Sequence, residues 1–295
     1  MGFELHPRHI AILVFVTLIW GMNFAVVKFG LESFPPLLFV ALRFVLVAIA
    51  LLPFVKPPKG YWLPVFGVSV TLGFLHFALM FTALKYVDVS SAAIAIQLQV
   101  PFAAILAAIL FKDTLGWRRA LGMAIAFAGV ALIAGMPRPQ GEFIALLAVI
   151  AAALIWAVSN VQVKRLEALD GWTISAWMSL FAVPQLLIAS FILEQGQWQA
   201  IANSGWDGWL AVAYNGLAVM VFGYGLWYRM LKRYTVNLIM AFSLLIPVWG
   251  VMSGILFLGE VLSWQIAVGG LLTIAGVGII LLRRPKTADP KTEMV

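Results

Sequence analysis

Cysteine is absent from the 295-residue sequence, which removes disulfides, thiolate metal sites and cysteine nucleophiles from consideration. Charge is nearly as scarce: 11% of residues are Asp, Glu, Lys or Arg, against about 25% in an ordinary soluble chain. Hydrophobic residues make up 63% and mean hydropathy is +1.03, more apolar surface than a water-soluble domain can hide. Carboxylates are missing from the apolar runs altogether. Glu4, Glu32, Asp88, Asp113, Glu142, Glu167, Asp170, Glu194, Asp207, Glu260, Asp289 and Glu293 all fall in loops or tails. The net charge of +7 comes from basic residues scattered between apolar runs, with no block that would suit nucleic acid.

Ten apolar runs of bilayer-spanning length are present, near residues 10–30, 36–55, 63–84, 89–111, 118–135, 143–163, 173–193, 208–228, 236–257 and 265–282. The first follows a short polar lead with no small-residue cleavage site at its end, so it reads as a retained helix and not a signal peptide. Basic residues stay on the cytoplasmic side of a membrane. With the N-terminus inside, that side receives Arg8, Lys56, Lys59, Lys112, Arg118, Arg119, Lys164, Arg165, Arg229, Lys232, Arg233, Arg283, Arg284, Lys286 and Lys291. The other side receives only Lys28, Lys85 and Arg138, which places both termini on the cytoplasmic side. Trp62, Trp117, Trp172 and Trp264 begin spans, where amphipathic rings anchor at headgroups.

The chain repeats itself. Leu18-Ile19-Trp20 recurs as Leu154-Ile155-Trp156, Lys28 as Lys164, Leu84-Lys85 as Leu231-Lys232, and Asp113-Thr114-Leu115-Gly116-Trp117 as Glu260-Val261-Leu262-Ser263-Trp264; Gly122 and Gly129 recur as Gly269 and Gly276. Five spans per unit is an odd number, so the second unit enters from the opposite face, the inverted repeat of many secondary transporters. The expected architecture is all-α and integral to the membrane, with ten transmembrane helices as two inverted five-helix repeats around a central cavity. The units are 1–137 and 142–295, joined by an external, turn-rich linker at 138–141.

Gln97-Leu98-Gln99-Val100-Pro101 and Ser243-Leu244-Leu245-Ile246-Pro247 stand at matching places in the two units. Proline inside a helix donates no N–H and clashes with the carbonyl four residues back, so each helix bends there and frees an acceptor. The residue four back is polar both times, Gln97 and Ser243, as the membrane interior requires. Pro101 and Pro247 are therefore candidate hinges beside a shared cavity.

Trp20-Gly21-Met22-Asn23-Phe24, Ala41-Leu42-Arg43-Phe44 and Leu258-Gly259-Glu260-Val261-Leu262, the last before a Gly-rich final span, resemble the drug/metabolite transporter superfamily, EamA family, over essentially the whole chain. Within it the sequence is most similar to YddG-type amino-acid exporters. The resemblance implies export of aromatic and other amino acids through a cavity between the halves.

Residue chemistry restricts the cargo independently. An exporter of cationic drugs is expected to hold an intramembrane carboxylate, and a carrier of sugar phosphates several Lys or Arg. Here Arg43 alone lies within a span, which leaves a near-neutral, zwitterionic or aromatic molecule, and together with the resemblance this makes amino acids such as Phe, Met or Thr the expected cargo. Two readings of Arg43 are open: it ties helices together or snorkels outward, or it pairs with a substrate carboxylate. His76, with Met80 one turn on, is either a packing residue or the sole candidate proton relay. Facilitated export follows if His76 only packs, and proton-coupled export of a small metabolite or drug if it relays. Gln97, Gln99, Asn23, Asn160, Gln185 and Asn215 are each cavity-facing or interhelical ties. Trp20, Trp156 and Tyr224 are the rings expected to line the cavity.

An intramembrane enzyme would need a nucleophile with its base, or a metal cluster. His6 and His9 lie near the N-terminus and His76 stands alone, so neither can be assembled, and no catalytic residue, metal or cofactor is expected. A channel would need a continuously polar lining that the sparse polar residues do not supply. The expected partners are a small-molecule substrate and the lipid bilayer, with the protein a monomer or homodimer. The fifth and tenth spans, rich in Gly and nearly free of polar groups, read as scaffolding or subunit contact.

Overall fold

In a computed structural model, which describes residues 6–110, 116–136, 139–166, 168–231, 233, 234, 239 and 242–281, every regular element among those residues is helical. The apolar runs become α1 (Pro7–Ser33), α2 (Pro36–Phe54), α3 (Trp62–Leu84), α4 (Val89–Leu110), α5 (Trp117–Ala134), α6 (Gln140–Lys164), α7 (Gly171–Leu193), α8 (Trp206–Trp227), α9 (Leu245–Leu258) and α10 (Trp264–Leu281). Nine of these have the length and hydropathy to cross a bilayer among the described residues. Of the ninth run, expected from residue 236, α9 covers Leu245–Leu258, with a turn at Ser243 and Leu244 ahead of it; residues 235–238, 240 and 241 lie outside the described set. Lys112, Asp113, Arg138, Lys232 and the basic tail beyond residue 281 also lie outside it.

Helix ends follow local chemistry. Pro7 and Pro36 sit in first turns, where a missing N–H costs nothing. Asp170 caps α7: its Oδ1 accepts from Trp172 N (2.9 Å) and Thr173 N (3.0 Å), and its Oδ2 from Thr173 Oγ1 (2.6 Å). Partial burial works against the Asp170 carboxylate, but the hydrogen bonds from Thr173 and Trp172 hold its pKa below the ordinary value. The Trp-rich loop after α7 contains a short surface helix, Gln197–Asn203, entered through Gly196 at φ +78°.

The pairing of helices is symmetric in an informative way. α1 packs on α8 and α9, and α6 packs on α3 and α4; α2 meets α7, α4 meets α9, and α5 meets α10. Exchanging α1–α5 for α6–α10 leaves this set of neighbours unchanged. α5 and α10 run closest. A Cβ at Gly129 would stand 2.5 Å from Gly269 O and Thr273 Oγ1, and one at Gly122 would stand 2.8 Å from Gly276 O. The small-residue face of these helices is thus consumed within the chain, as scaffolding.

Two features have no signal in the sequence. The middle of α3 (Ser69–His76) and of α8 (Tyr214–Gly223) are wound as π-helix, at equivalent places in the two halves. Such wide turns carry an extra residue per turn and are frequent at functional sites. The 3₁₀ turn Ile96–Leu98 interrupts α4 ahead of Pro101, which then lies in the first turn of the α-helical stretch Gln99–Leu110.

Candidate functional site

Arg43 stands about 11 Å along α2, from seven residues at 1.5 Å each, and is only 1% exposed. Its guanidinium carbon lies 4.0 Å from the ring centroid of Phe77, 5.0 Å from Phe44 and 5.6 Å from Phe81. Ring faces attract a cation, by about 2 kcal/mol when both are desolvated. The one hydrogen bond of the guanidinium among the described residues runs from Nη1 to Asn215 Oδ1 (3.3 Å) in the π-helical part of α8. Arg43 Nε and Asn215 Nδ2 are buried with no acceptor among the described residues.

His76 closes the π-helical stretch of α3 and is buried. Its Nδ1 is 2.9 Å from the Ala152 carbonyl oxygen on α6, so Nδ1 carries the hydrogen and donates it. The ring lies 4.6 Å from Phe77 and 4.9 Å from Trp156. Trp20 of α1 packs at a tilt against Tyr224 (4.9 Å between centroids) and Trp227 (5.0 Å), and its Nε1 donates to Val219 O (3.2 Å). Trp20, Trp156 and Tyr224 are half-buried, each keeping part of its ring open. Gly223 is bare where the Trp20 indole crosses α8.

The structure therefore brings Arg43, His76, Trp20, Trp156 and Tyr224 into the region where α1, α2, α3, α6 and α8 meet, with Met80 buried one turn beyond His76. Asn23 is half-buried on α1 with a buried Oδ1 that has no donor. Gln97 is buried in the 3₁₀ turn of α4 and Gln99 is half-buried beside it. Ser243 is half-buried in the turn before α9, and Pro101 and Pro247 are buried. Asn160 is not drawn in: it is exposed on α6. Gln185 is an interhelical tie, donating from Nε2 to Ser69 Oγ (2.8 Å) and to Phe181 O (2.9 Å). Asn215, read as cavity-facing or an interhelical tie, ties α8 to α2 as the partner of Arg43, and Phe77 covers the guanidinium. Nothing local in the sequence marks either. Two surface recesses, one of about 660 Å³ beside Trp117 and Leu244 and one of about 370 Å³ beside Glu32 and Lys85, lie away from this cluster. The buried cluster, with its donors still unfilled, is the better candidate.

The Leu258-Gly259-Glu260 motif acts elsewhere. Gly259 (φ +67°) terminates α9 in the left-handed region, and the chain turns so that the Glu260 carboxylate reaches the first amides of α4: Val89 N at 2.6 Å and Ser90 N at 2.9 Å. Glu194, at the end of α7, treats α2 alike through Leu37 N (2.7 Å) and Leu38 N (3.2 Å).

Comparison with known proteins agrees with this architecture. The EamA-like transporter family matches residues 8–135 and again 143–282. Two curated relatives, from Salmonella typhimurium and Escherichia coli, are 32% and 30% identical over 274 residues, covering 90% of this chain and 91% of each relative; both are named "Probable amino-acid metabolite efflux pump". A solved crystal structure at 21% identity covers 93% of this chain and 96% of its own, with a TM-score of 0.64, and shows the same fold. The chain is a multi-pass membrane transporter and not an enzyme, and it belongs to the EamA-like transporter family.

Proposed function

We propose that this protein exports neutral amino acids, aromatic ones and others such as Phe, Met and Thr, by facilitated alternating access. The observation that carries the reading is the chemistry of the buried centre: half-open indole and phenol rings beside a fixed guanidinium, in a chain with no carboxylate at membrane depth. Rings suit an aromatic or thioether side chain, and the names of the two relatives point to the same class of cargo. Residues 1–137 and 142–295 act as the two moving units, joined by 138–141, in the bacterial inner membrane with both termini cytoplasmic. Cargo contacts come from Trp20, Asn23, Arg43, His76, Met80, Gln97, Gln99, Trp156, Tyr224 and Ser243, while Asn160, exposed on α6, is left out of the set. Burial of the His76 ring against Phe77 and Trp156, in a sequence with no carboxylate in its apolar runs to pass a proton on, favours facilitation over proton coupling.

The test is uptake into liposomes holding the purified protein, comparing labelled phenylalanine, methionine, threonine, a polyamine and UDP-glucose, with and without a pH gradient. Amino-acid flux indifferent to the gradient is expected, and the flux that His76→Gln supports is expected to be equally indifferent to it. Flux of only the polyamine or the nucleotide sugar, or flux that collapses without the gradient, would overturn the reading.

Pro101 and Pro247 serve as the hinges of the two units. Both stand in first turns, Pro101 in the α-helical stretch from Gln99 that follows the 3₁₀ turn and Pro247 in α9, so replacing both with alanine restores two backbone donors and frees φ at each position without unmaking a helix. The doubly substituted protein is expected to fold and bind phenylalanine normally while its flux falls about tenfold, the equivalent of 1.4 kcal/mol in a barrier. Unchanged flux would remove the hinges from the mechanism.

A further inference from the structure

Arg43 and Asn215 are buried to 1% and 0% exposure, bonded to each other, and each retains a buried donor with no acceptor. An arginine side chain keeps its proton in proteins, so the charge here is permanent. A buried charge is tolerated when it is paired and hydrogen-bonded. The rings of Phe44, Phe77 and Phe81 compensate part of the cost, but a ring face accepts no conventional hydrogen bond from Nε. Tyr224 and His76 are the other titratable groups within electrostatic reach of Arg43, and neither is an anion at neutral pH. What the pair lacks is one small anion with oxygen acceptors.

The geometry points to Arg43 Nε and Asn215 Nδ2 as the recognition site for the carboxylate of the cargo, so that transport requires a free carboxylate and excludes the corresponding amides and esters. This rests on the reading of the centre as the cargo site and deepens it. The donors sit on α2 and α8, one from each half of the chain; Phe77 covers the guanidinium, His76 and then Trp156 lie beyond Phe77, and Tyr224, with Trp20 against it, is within electrostatic reach of Arg43. A carboxylate accepting from both closes the unfilled bonds and neutralises the charge together. A carboxamide in its place offers one neutral oxygen and turns an N–H₂ toward a cation, and sites built on hydrogen bonds discriminate strongly against such mismatches. The amino group of the cargo is left to the ring faces, which suits a cation.

The deciding substitution is Asn215→Asp, which keeps the shape of the side chain and supplies the missing anion from within. The experiment measures inhibition of labelled phenylalanine flux in proteoliposomes by phenylalanine, 3-phenylpropionate, phenylalaninamide and phenylalanine methyl ester. In the native protein the two free carboxylates are expected to compete at least about tenfold better than the amide and ester. In Asn215→Asp the thermal midpoint rises and competition by both carboxylates falls at least about tenfold. If Arg43 and Asn215 only tie helices together, Asn215→Asp strengthens the tie and leaves competition unchanged; that result, or equal competition by the amide in the native protein, overturns the inference. Should Asn215→Asp fail to fold, Arg43→Lys keeps the charge but removes the Nε donor, and the same loss of carboxylate competition is required of it. If the native protein carries no phenylalanine, titration calorimetry with 3-phenylpropionate and its amide decides separately. Carboxylate-selective binding that Asn215→Asp abolishes upholds the site while the amino-acid cargo fails; equal binding of the two, or none, overturns the site as well.

Discussion

Gly129→Val is expected to unfold the protein at a markedly lower temperature, at a cost of about 3 kcal/mol, the upper end of what overpacking a close-fitted interior does. The cause is the approach of α5 to α10. A Cβ at residue 129 meets Gly269 O and Thr273 Oγ1 at 2.5 Å and Thr273 N at 2.7 Å. Two of these are backbone atoms of a regular helix, which cannot rotate aside as a side chain would, so α10 must move as a body. Within a bilayer the lipid tails are as apolar as leucine, and helix association depends on van der Waals fit and not on burial from water. Moving α10 outward therefore forfeits the contacts that hold it. Gly67→Ala is the control, because a Cβ there meets nothing within 4 Å. It should be neutral, or stabilising by up to about 1 kcal/mol through helix propensity. Thermal unfolding in detergent, followed by tryptophan fluorescence, measures both. If Gly129→Val melts with the native protein, the seam between α5 and α10 is not the fixed scaffold described above.

The existence and order of the helices were legible because hydrocarbon tolerates only apolar helices over that length, and each run ends at a charge, a proline or a glycine. The doubling was legible because the anchors recur in order, and the small-residue faces of α5 and α10 because Gly122 and Gly129 match Gly269 and Gly276. Which side of each helix faces inward was not. These helices are apolar on every side, so the periodicity that phases a soluble helix is absent. Asn215 accordingly looked like any other mid-span amide, although α8 turns it onto Arg43, 172 positions earlier. The π-helical winding of α3 and α8 adds a register change that residue spacing does not record. Asn160 illustrates the same limit in reverse: it lies four residues from Trp156 on the same helix, yet it is exposed. The Leu258-Gly259-Glu260 motif was visible as a family signature, while its physical role needed the position of α4.

That role yields the second large effect. Glu260→Gln is expected to cost about 3 kcal/mol, since hydrogen bonds to a charged acceptor contribute about 1.5–3 kcal/mol and buried donors left unmet cost a similar amount. The first amides of any helix lack intrahelical acceptors and carry the positive end of the helix dipole, so a carboxylate there acts both as acceptor and as counter-charge. At α4 the N-cap residue Asp88 makes no side-chain cap, and Glu260 supplies the function from the end of α9, accepting from Val89 N, Ser90 N and Ser90 Oγ (2.5 Å). A Cβ at residue 254 would strike that carboxylate, which is why α9 carries glycine there. Glutamine keeps the length of the side chain but removes the charge and turns an N–H₂ toward an N–H. Glu194 caps α2 with a separate set of partners, Leu37 N, Leu38 N and Ser190 Oγ (2.6 Å), so the effects of Glu194→Gln and Glu260→Gln should add. Hydrogen exchange resolves the two: Glu260→Gln speeds exchange at Val89 and Ser90 and leaves Leu37 and Leu38 protected, and Glu194→Gln does the reverse. Unchanged exchange at Val89 and Ser90 in Glu260→Gln would show that the carboxylate does not hold the start of α4. Because each carboxylate belongs to the second half of the chain and each capped helix to the first, these bonds also fasten the halves together at one end, and any movement that parts them there must break both.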